Sequence, residues 1–581
     1  MSAGLLQKGG RRGTSRGAHP QALHGRRAFR SLGAWLLLAP GALLIAVFLI
    51  YPLLGVVLRS FDPAGLLSYT DPSFSTVNYS ETWSNPTNRI ILRNTFVVAA
   101  IAAAISVLVA YPTAAFLSRL PIRWARLLLL LALIPFWTSI VVRMYSMQLI
   151  LRQGDLLFTQ TASIIGMVSY LLPYLIIIFY GGMIGIDNDL LRAARSLGAR
   201  PSRAFWHVFV PLSRPVVLAG ALLVFIIGLG FFITPALLGA PSGMTVSMFI
   251  QQQVNIAQWG VAAAMGVGLL IAALLVYYLF NMLFDIERLA GSGSQVRVRE
   301  THWERDSSRL TRIGLGVWSL LVFAFLMLPL GYVVLVSFSD QSYLTFPPEG
   351  FSLRWYEELF SDPTWAESAW LSLRVALLTT LFATVAGVLA AVALTRGQIP
   401  GVKVFRALFM LPLIVPVVLI GAAEFDVASR LHLSGTVLGY AIGHTVLALP
   451  FTVVICTTAL QQLGVSLEEA ARSLGASRLT AFRKVTLPLI LPGVAASAAF
   501  AFVTSWDEPV MSLFLRGLTP TLPVRIFDNV KQNVEPTVAA LSTIVLAGVV
   551  LVALLALCLS RLRRTERGES PTTDDLTEAV R

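Results

Sequence analysis

Charge is what this 581-residue chain has least of. Asp, Glu, Lys and Arg together make up 13% of it, while 56% is hydrophobic. That charge share is about half the norm for soluble domains. It leaves too little polar surface to cover the several water-soluble domains that the length would otherwise suggest, at about 150 residues each. Cysteine is nearly absent. Cys456 and Cys558 both sit in apolar runs, which excludes a disulfide framework, a CxxC metal site and a nucleophilic dyad. The six histidines (His19, His24, His207, His302, His432 and His444) are scattered with no HExxH among them, so a membrane-bound metalloenzyme finds no support. No GxxxxGK(S/T) phosphate loop occurs, and no polar stretch is long enough to house a nucleotide-binding domain. The chain is therefore not expected to be an enzyme or to hold a cofactor or metal.

What it has in abundance is sequence suited to a bilayer. A hydrocarbon core about 30 Å thick needs about 20 apolar helical residues to cross it. Twelve runs meet that need: 33–58, 95–117, 127–149, 163–185, 216–238 and 262–284, then 313–337, 369–394, 405–428, 437–460, 490–513 and 537–559. The expectation is an all-α polytopic membrane protein of twelve transmembrane helices, with lipid as its first partner. The first run is too long for a cleaved signal peptide and is read as a retained span.

A formal net charge of +14 at first suggests nucleic acid, but its placement assigns it elsewhere. The segment 1–32 carries seven Lys/Arg and no acidic residue, which the positive-inside bias places in the cytoplasm. With twelve crossings the cytoplasmic segments become 1–32, 118–126, 185–215, 285–312, 395–404 with Arg406, 461–489 and 560–581. They hold 33 of the 44 Lys/Arg. No nucleic-acid role is needed to explain the charge, and both termini are expected in the cytoplasm.

Sliding the chain by 277 residues against itself aligns Arg119 with Arg396, Pro135 with Pro412, Leu172-Pro173 with Leu449-Pro450, Gly198 with Gly475, and Pro211 with Pro488. No gap is needed from the second span through the fifth. The closest stretch, RAARSLGARPSRAFWHVFVPLSRP (192–215) against EAARSLGASRLTAFRKVTLPLILP (469–492), is identical at 13 of 24 positions. Each half has six spans in the same orientation, hence two parallel six-helix repeats. The expected organisation is a basic tail 1–32, a first repeat 33–284 with its loop at 187–211, a linker 285–312, a second repeat 313–559 with its loop at 464–488, and a tail 560–581.

Lipid-facing sequence drifts among apolar residues, so strong similarity in a polar loop points to a partner. In each copy Ala-Ala offers a small face, Gly198 or Gly475 suits a helix end, and Pro211 or Pro488 suits the start of the next span. The expectation is a short helix, a turn and a second short helix lying across one face. EAARSLGA with its following Phe, Val and Leu-Pro resembles the EAA loop of ABC-importer permeases, which couples to the ATP-hydrolysing subunits. The resemblance covers nearly the whole chain and implies the type I ABC importer, or MetI-like permease, fold. It implies two copies of a partner ATPase, which bind the ATP and Mg, and a periplasmic or lipid-anchored solute-binding protein, at a bacterial cytoplasmic (inner) membrane. The coupling residues it marks are Arg192, Ala193, Ala194, Gly198, Phe205 and Pro211 in the first copy, and Glu469, Ala470, Ala471, Gly475, Phe482 and Pro488 in the second. Arg192 stands where the family has Glu, with Asp189 nearby.

Carboxylates at membrane depth default to function. Trp506-Asp507-Glu508 falls in the eleventh run and Glu424 and Asp426 in the ninth. They suit a cationic solute, with Trp506 as a cation–π face. Equally, Asp507 or Glu508 could cap a broken helix or pair with Arg143 or Arg516, and Glu424 and Asp426 could sit at the water boundary. TSWDEPVMSLFLRG with TLPVRIFDNV and EPTVAALST (504–543) resembles the second permease of spermidine/putrescine importers. IPFWTSIVVRMYSMQLIL (134–151) and ITPALLGAPSGMTVSMFIQQQ (233–253) resemble the first. The resemblance implies a polyamine as the small-molecule solute. In the first half Trp137, Arg143, Tyr145 and the Gln251–Gln253 run are candidate pathway or binding-protein contacts, and the aromatics equally suit an interface-anchoring role. Looser relatives move ferric iron, thiamine, aminophosphonates or opines. An ion-coupled secondary transporter also fits twelve spans in two halves, but such a carrier has no reason to keep two EAA-like loops.

Overall fold

A computed structural model describes residues 20–63, 74–284, 309–341, 348–532 and 535–566, with side chains described between Leu32 and Leu551 apart from Asn188. The outer parts of both predicted basic tails, and linker residues 285–308, lie outside the described residues. The first half consists of α1 (Leu32–Ser60), α2 (Val77–Ser84), α3 (Pro86–Leu117), α4 (Ile122–Trp137), α5 (Ile140–Gln153), α6 (Gln160–Met183), α7 (Asn188–Ser196), α8 (Pro201–Leu229), α9 (Ile233–Leu238), α10 (Val246–Asn255) and α11 (Trp259–Phe284). The second half follows with α12 (Arg309–Val336), α13 (Arg354–Ser361), α14 (Pro363–Arg396), α15 (Val402–Ile414), α16 (Val417–Arg430), α17 (Val437–Leu463), α18 (Ser466–Ser473), α19 (Arg478–Trp506), α20 (Pro509–Phe514), α21 (Leu522–Gln532) and α22 (Pro536–Glu566).

Adding 277 to the bounds of α1–α10 lands within three residues of those of α12–α21. The repeat therefore extends beyond the second-to-fifth spans seen in the sequence. Its details repeat as well. Asn85 caps α3 through Thr87 N, and Asp362 caps α14 through Thr364 N. Thr159 and Thr436 cap α6 and α17. Ser60 Oγ lies 2.7 Å from Tyr79 OH, and Ser337 Oγ lies 2.8 Å from Tyr356 OH. Left-handed backbone recurs at Asp155 and His432, Phe158 and Gly435, and Gly198 and Gly475.

All twelve predicted runs are helical, although not all are straight. Nine helices are long and apolar enough to cross a membrane, and α22 contributes a shorter apolar stretch, Pro536–Leu551, among the described residues. The third and ninth runs are instead helix pairs, α4–α5 bent by 92° and α15–α16 bent by 101°. Val415 precedes Pro416 and is pushed out of the helical region, at φ −76° and ψ 127°. The fifth and eleventh runs stop early, at Leu229 and Trp506, before the short helices α9 and α20.

The two halves exchange their first helices. Leu38, Ile45 and Leu49 of α1 are buried in one cluster with Val375, Ala386 and Ala390 of α14, while Val322, Phe323 and Leu326 of α12 are buried in the cluster of α3. Helix association inside lipid relies on close packing and small residues rather than on the hydrophobic effect. Gly41 illustrates this, because a Cβ there would come within 2.9 Å of the Phe409 ring.

The basic loops share one face. Trp35 stacks edge-on against Phe405 at 5.3 Å, Arg396 bonds Leu460 O at 3.0 Å, Arg119 lies over Phe209 at 4.6 Å, and Arg214 lies over Phe284 at 5.7 Å. These contacts group the start of α1 and the ends of α3, α11, α14 and α17 with the EAA-like loops at one end of the bundle.

Candidate functional site

The breaks between α8 and α9 and between α19 and α20 face each other across a cavity of about 230 Å³. Its walls pair by the same offset of 277: Phe136 with Leu413, Ile140 with Val417, Tyr170 with Leu447, Tyr174 with Phe451, Ile227 with Thr504, and Gly230 with Asp507. A pocket lined by equivalent residues of both repeats lies on the axis that relates them. It falls a little below the ~300 Å³ at which drug-sized sites begin, so it is sized for a small solute.

The lining is aromatic, and only one half makes it acidic. Phe136 meets Tyr174 at 4.7 Å and Phe500 at 5.7 Å, Phe451 meets Phe500 at 4.6 Å, and Tyr170 meets Phe231 at 5.1 Å. The Tyr170 and Tyr174 hydroxyls lie 3.0 Å apart. Asp507 and Glu508 stand where the first half has Gly230 and Phe231. Asp507 accepts from Ile140 N at 3.0 and 3.1 Å, so a carboxylate of the second half caps helix α5 of the first. Glu508 Oε1 accepts from Val510 N at 2.8 Å and Met511 N at 3.0 Å and caps α20. The capping and pathway readings are thus compatible: both carboxylates cap helices, and both line the cavity.

The other candidates lie elsewhere. Arg143 is 1% exposed and donates to Ser169 O and Thr138 O, both at 3.3 Å, with its guanidinium 5.6 Å from the Tyr170 ring. It stands behind the cavity wall. Arg516 pairs with Asp528 at 2.8 Å and not with the cavity carboxylates. Tyr145 is buried and donates to Glu535 O at 3.1 Å. Trp506 stacks on Phe502 at 6.0 Å, and neither it nor Trp137 lines the cavity. Gln251–Gln253 sit on α10, also outside the lining. Glu424 is 3% exposed, packed against Gly443.

Asp426 joins the halves at the end opposite the basic loops. It is hydrogen-bonded to Arg59 of α1 and pairs with Arg430 at 3.0 Å, while the Arg59 guanidinium lies 5.3 Å over Trp259. Removing one partner of this part-buried pair leaves a partly desolvated charge uncompensated, at a cost of about 1–3 kcal/mol, between the values for exposed and for fully buried pairs. Asp426→Ala is expected to lower the unfolding midpoint of the purified chain, and Asp426→Leu combined with Arg59→Met to recover most of it. An unchanged midpoint in the single variant would show that the pair adds no stability.

In the loops at the basic face, α7 and α18 end alike. Ala199 N donates to Ala194 O and Ala476 N to Ala471 O, both at 3.1 Å, around Gly198 at φ 86° and Gly475 at φ 91°. These are helix-terminating turns that glycine tolerates best. Arg192, Ala193, Glu469 and Ala470 are exposed, and Ala194 and Ala471 are half-buried. Arg192 pairs with Asp189 at 3.4 Å on an exposed surface.

The expected second short helix is not separate. Phe205 and Phe482 begin π-turns inside α8 and α19, so Pro211 and Pro488 lie within continuous helices rather than at their starts. The same arrangement precedes Pro52 in α1. Proline has no N–H and its ring crowds the preceding turn, and the wider i→i−5 turn just before it relieves the conflict.

The copies differ in how they are tied down. Glu468 accepts from Arg396 at 3.3 Å and from Thr486 at 2.8 Å. The first copy has buried Leu191 at that position and stacks Arg119 over Phe205 and Phe209 at 5.4 and 4.6 Å. Sequence reasoning also passed over Leu197 and Leu474, which are 89% and 91% exposed. A large apolar residue thus stands exposed at the same point of both loops, and its identity in the two copies was the available signal. The cavity aromatics carried none, being apolar residues within apolar spans.

A family model for the binding-protein-dependent transport system inner membrane component matches the chain twice, at residues 92–288 and 383–564. The putrescine transport system permease protein PotI of Escherichia coli (strain K12) is 33% identical over 252 residues, which is 41% of this chain and 87% of PotI. The spermidine/putrescine transport system permease protein PotB of Haemophilus influenzae (strain ATCC 51907 / DSM 11121 / KW20 / Rd) is 33% identical over 229 residues, 36% of this chain and 80% of PotB. Among solved structures, that of a bacterial ABC transporter involved in the import of the acidic polysaccharide alginate aligns at 15% identity with a TM-score of 0.37, covering 46% of this chain and 99% of that one. Relatives that match over most of their own length thus take up about two-fifths of this chain, and the family pattern occurs in it twice.

Proposed function

Since the chain belongs to the family of binding-protein-dependent transport system inner membrane components, it is a multi-pass membrane permease of an ABC importer, and we propose that it carries a small organic polycation, a polyamine such as putrescine or spermidine. The observation that supports this solute is the cavity between the halves, where Asp507 and Glu508 meet a ring of aromatic side chains. Paired carboxylates balance more than one ammonium group. Each aromatic face adds about 0.5–1 kcal/mol for an exposed cation and about 2 kcal/mol for a desolvated one. Both features suit an extended diamine or triamine better than an anion or a neutral sugar.

In this reading the repeats 33–284 and 313–559 supply the two halves of the pathway, and the basic face lies in the cytoplasm with both termini. Two ATPase copies seat against the loops 187–211 and 464–488. A solute-binding protein docks on the opposite end, and closure of the ATPases moves the loops so that the halves alternate access at the cavity. ATP and Mg belong to the partner subunits.

Proteoliposomes that hold the chain with its partner ATPase should take up labelled putrescine or spermidine only when the loaded binding protein is outside and ATP is inside. Dissipating the proton gradient should leave the rate unchanged. Uptake driven by an imposed proton gradient without ATP would overturn the reading in favour of an ion-coupled carrier, and selective uptake of ferric iron, thiamine, an aminophosphonate or an opine would overturn the solute assignment alone.

A further inference from the structure

The break that carries Asp507 and Glu508 is stapled from behind by one buried side chain. His444 of α17 is 1% exposed. Its Nδ1 lies 2.8 Å from Ser505 Oγ on α19, and its Nε2 lies 3.0 Å from Ser512 Oγ on α20. Ser505 precedes the two carboxylates and Ser512 follows them, so a single imidazole holds both sides of the interruption. Ser505 Oγ donates to Thr379 Oγ1 at 3.1 Å, and Thr379 Oγ1 donates to Ala441 O at 3.3 Å. That chain fixes the proton order. Ser505 spends its hydrogen on Thr379 and so accepts from His444 Nδ1–H, which leaves Nε2 to accept from Ser512. Each hydroxyl donates once and no buried donor in the chain is wasted, which is the condition under which a buried polar network rigidifies its surroundings.

The first half lacks the staple. The positions 277 residues earlier are Met167, Gly228 and Pro235, and Met167 Cε packs about the Gly228 position, 3.4 Å from where a Cβ would stand. At this point the break without carboxylates has the apolar Met167 side chain packed against it, whereas the break with carboxylates is bridged by the two bonds of His444. Directional bonds matter where a side chain must be kept at a fixed angle, because a charged group misplaced by about 1 Å loses much of its effect.

We propose that His444 is a positioning residue of the solute pathway: by bonding Ser505 and Ser512 at once, it sets the angle between α19 and α20 and so aims Asp507 and Glu508 into the cavity. This rests on the reading of those carboxylates as solute contacts. The staple has no contact with the cavity itself, so its effect passes entirely through them.

The test uses the full transporter in proteoliposomes with putrescine as the probe. His444→Met, which installs the first-half residue, is expected to lower maximal uptake about tenfold per inserted complex, with the half-saturating concentration of loaded binding protein unchanged. His444→Gln retains a donor and an acceptor and is expected to recover to within about threefold of the parent. The deciding arm is the Asp507→Asn, Glu508→Gln background, where His444→Met is expected to cost nothing further, since coupled residues are not additive. A further tenfold loss in that background would overturn the positioning role while leaving the pathway reading intact. If the carboxylate variant itself transports normally, the pathway reading fails, and the staple with it. Ser512→Ala removes one bond of the staple without changing the ring. It is expected to give an intermediate loss and decides the question if His444→Met does not insert, with an unchanged rate counting against the staple.

Discussion

Replacing Asp507 by Asn and Glu508 by Gln together is expected to reduce maximal polyamine uptake by about 100-fold. Both replacements keep an acceptor oxygen of the same reach, so the bonds to Ile140 N, Val510 N and Met511 N can persist and the break keeps its shape. What is lost is charge. A hydrogen bond to a charged group contributes about 1.5–3 kcal/mol, and each 1.4 kcal/mol is a factor of ten. Losing one favourable interaction per carboxylate therefore gives the stated magnitude. Either single variant should lose about tenfold. The measurement is initial uptake by proteoliposomes at saturating binding protein, with inserted transporter quantified. The control is ATP hydrolysis stimulated by the binding protein, which should persist because the loops are untouched. Full uptake in the double variant would remove the cavity from the solute's path.

A second large effect is expected at the loops. Gly475→Val forces a β-branched residue to φ 91°, outside the region such residues adopt, at a cost of at least about 1–2 kcal/mol. Space is not the obstacle, since a Cβ at Gly475 would meet no atom within 4 Å. The turn relieves the strain only by giving up the bond from Ala476 N to Ala471 O, which re-aims Leu474. Leu474→Glu attacks the same surface without touching the backbone, and Glu469→Lys reverses the adjacent charge. In all three the chain should insert normally while uptake falls about tenfold or more. Binding of the ATPase subunit should weaken in Leu474→Glu, because burying one exposed leucine contributes about 1.5–3 kcal/mol. Transport at the parental rate in these variants would sink the coupling role of the loop.

The sequence made the loops legible and the cavity almost illegible, for a physical reason. A polar loop has few ways to be apolar by chance, so agreement between Gly198 and Gly475, or between Leu197 and Leu474, stands out against its surroundings. Tyr170, Tyr174, Phe136 and Phe500 sit in spans where every neighbour is apolar, and nothing local separates a wall from a lipid-facing residue. The carboxylates were visible, but their neighbours were not. Asp426 finds Arg59, and Asp507 finds Ile140, each 367 residues away along the chain. Those meetings depend on how the halves interlock, which no periodicity encodes. The bend at Thr138 was likewise hidden, because an apolar run reads the same whether its helix continues or turns, while the bend at Val415 had its signal in Pro416. The offset of 277 was the one long-range fact written in the sequence, and it proved to govern caps, turns and cavity walls alike.

The exchange of first helices also orders events during synthesis. The chain emerges from the ribosome α1 first, yet the surface that the first part of α1 packs against belongs to α14, which begins only at Pro363. At about 5–20 residues per second, α1 waits on the order of tens of seconds in the bilayer with Gly41 and its flanking leucines facing lipid. α12 has no such wait, because α3 is already in place when it arrives. Joining both halves in one polypeptide guarantees that the awaited helix comes from the same molecule and in equal number, a stoichiometry that two separate genes must achieve by matched expression.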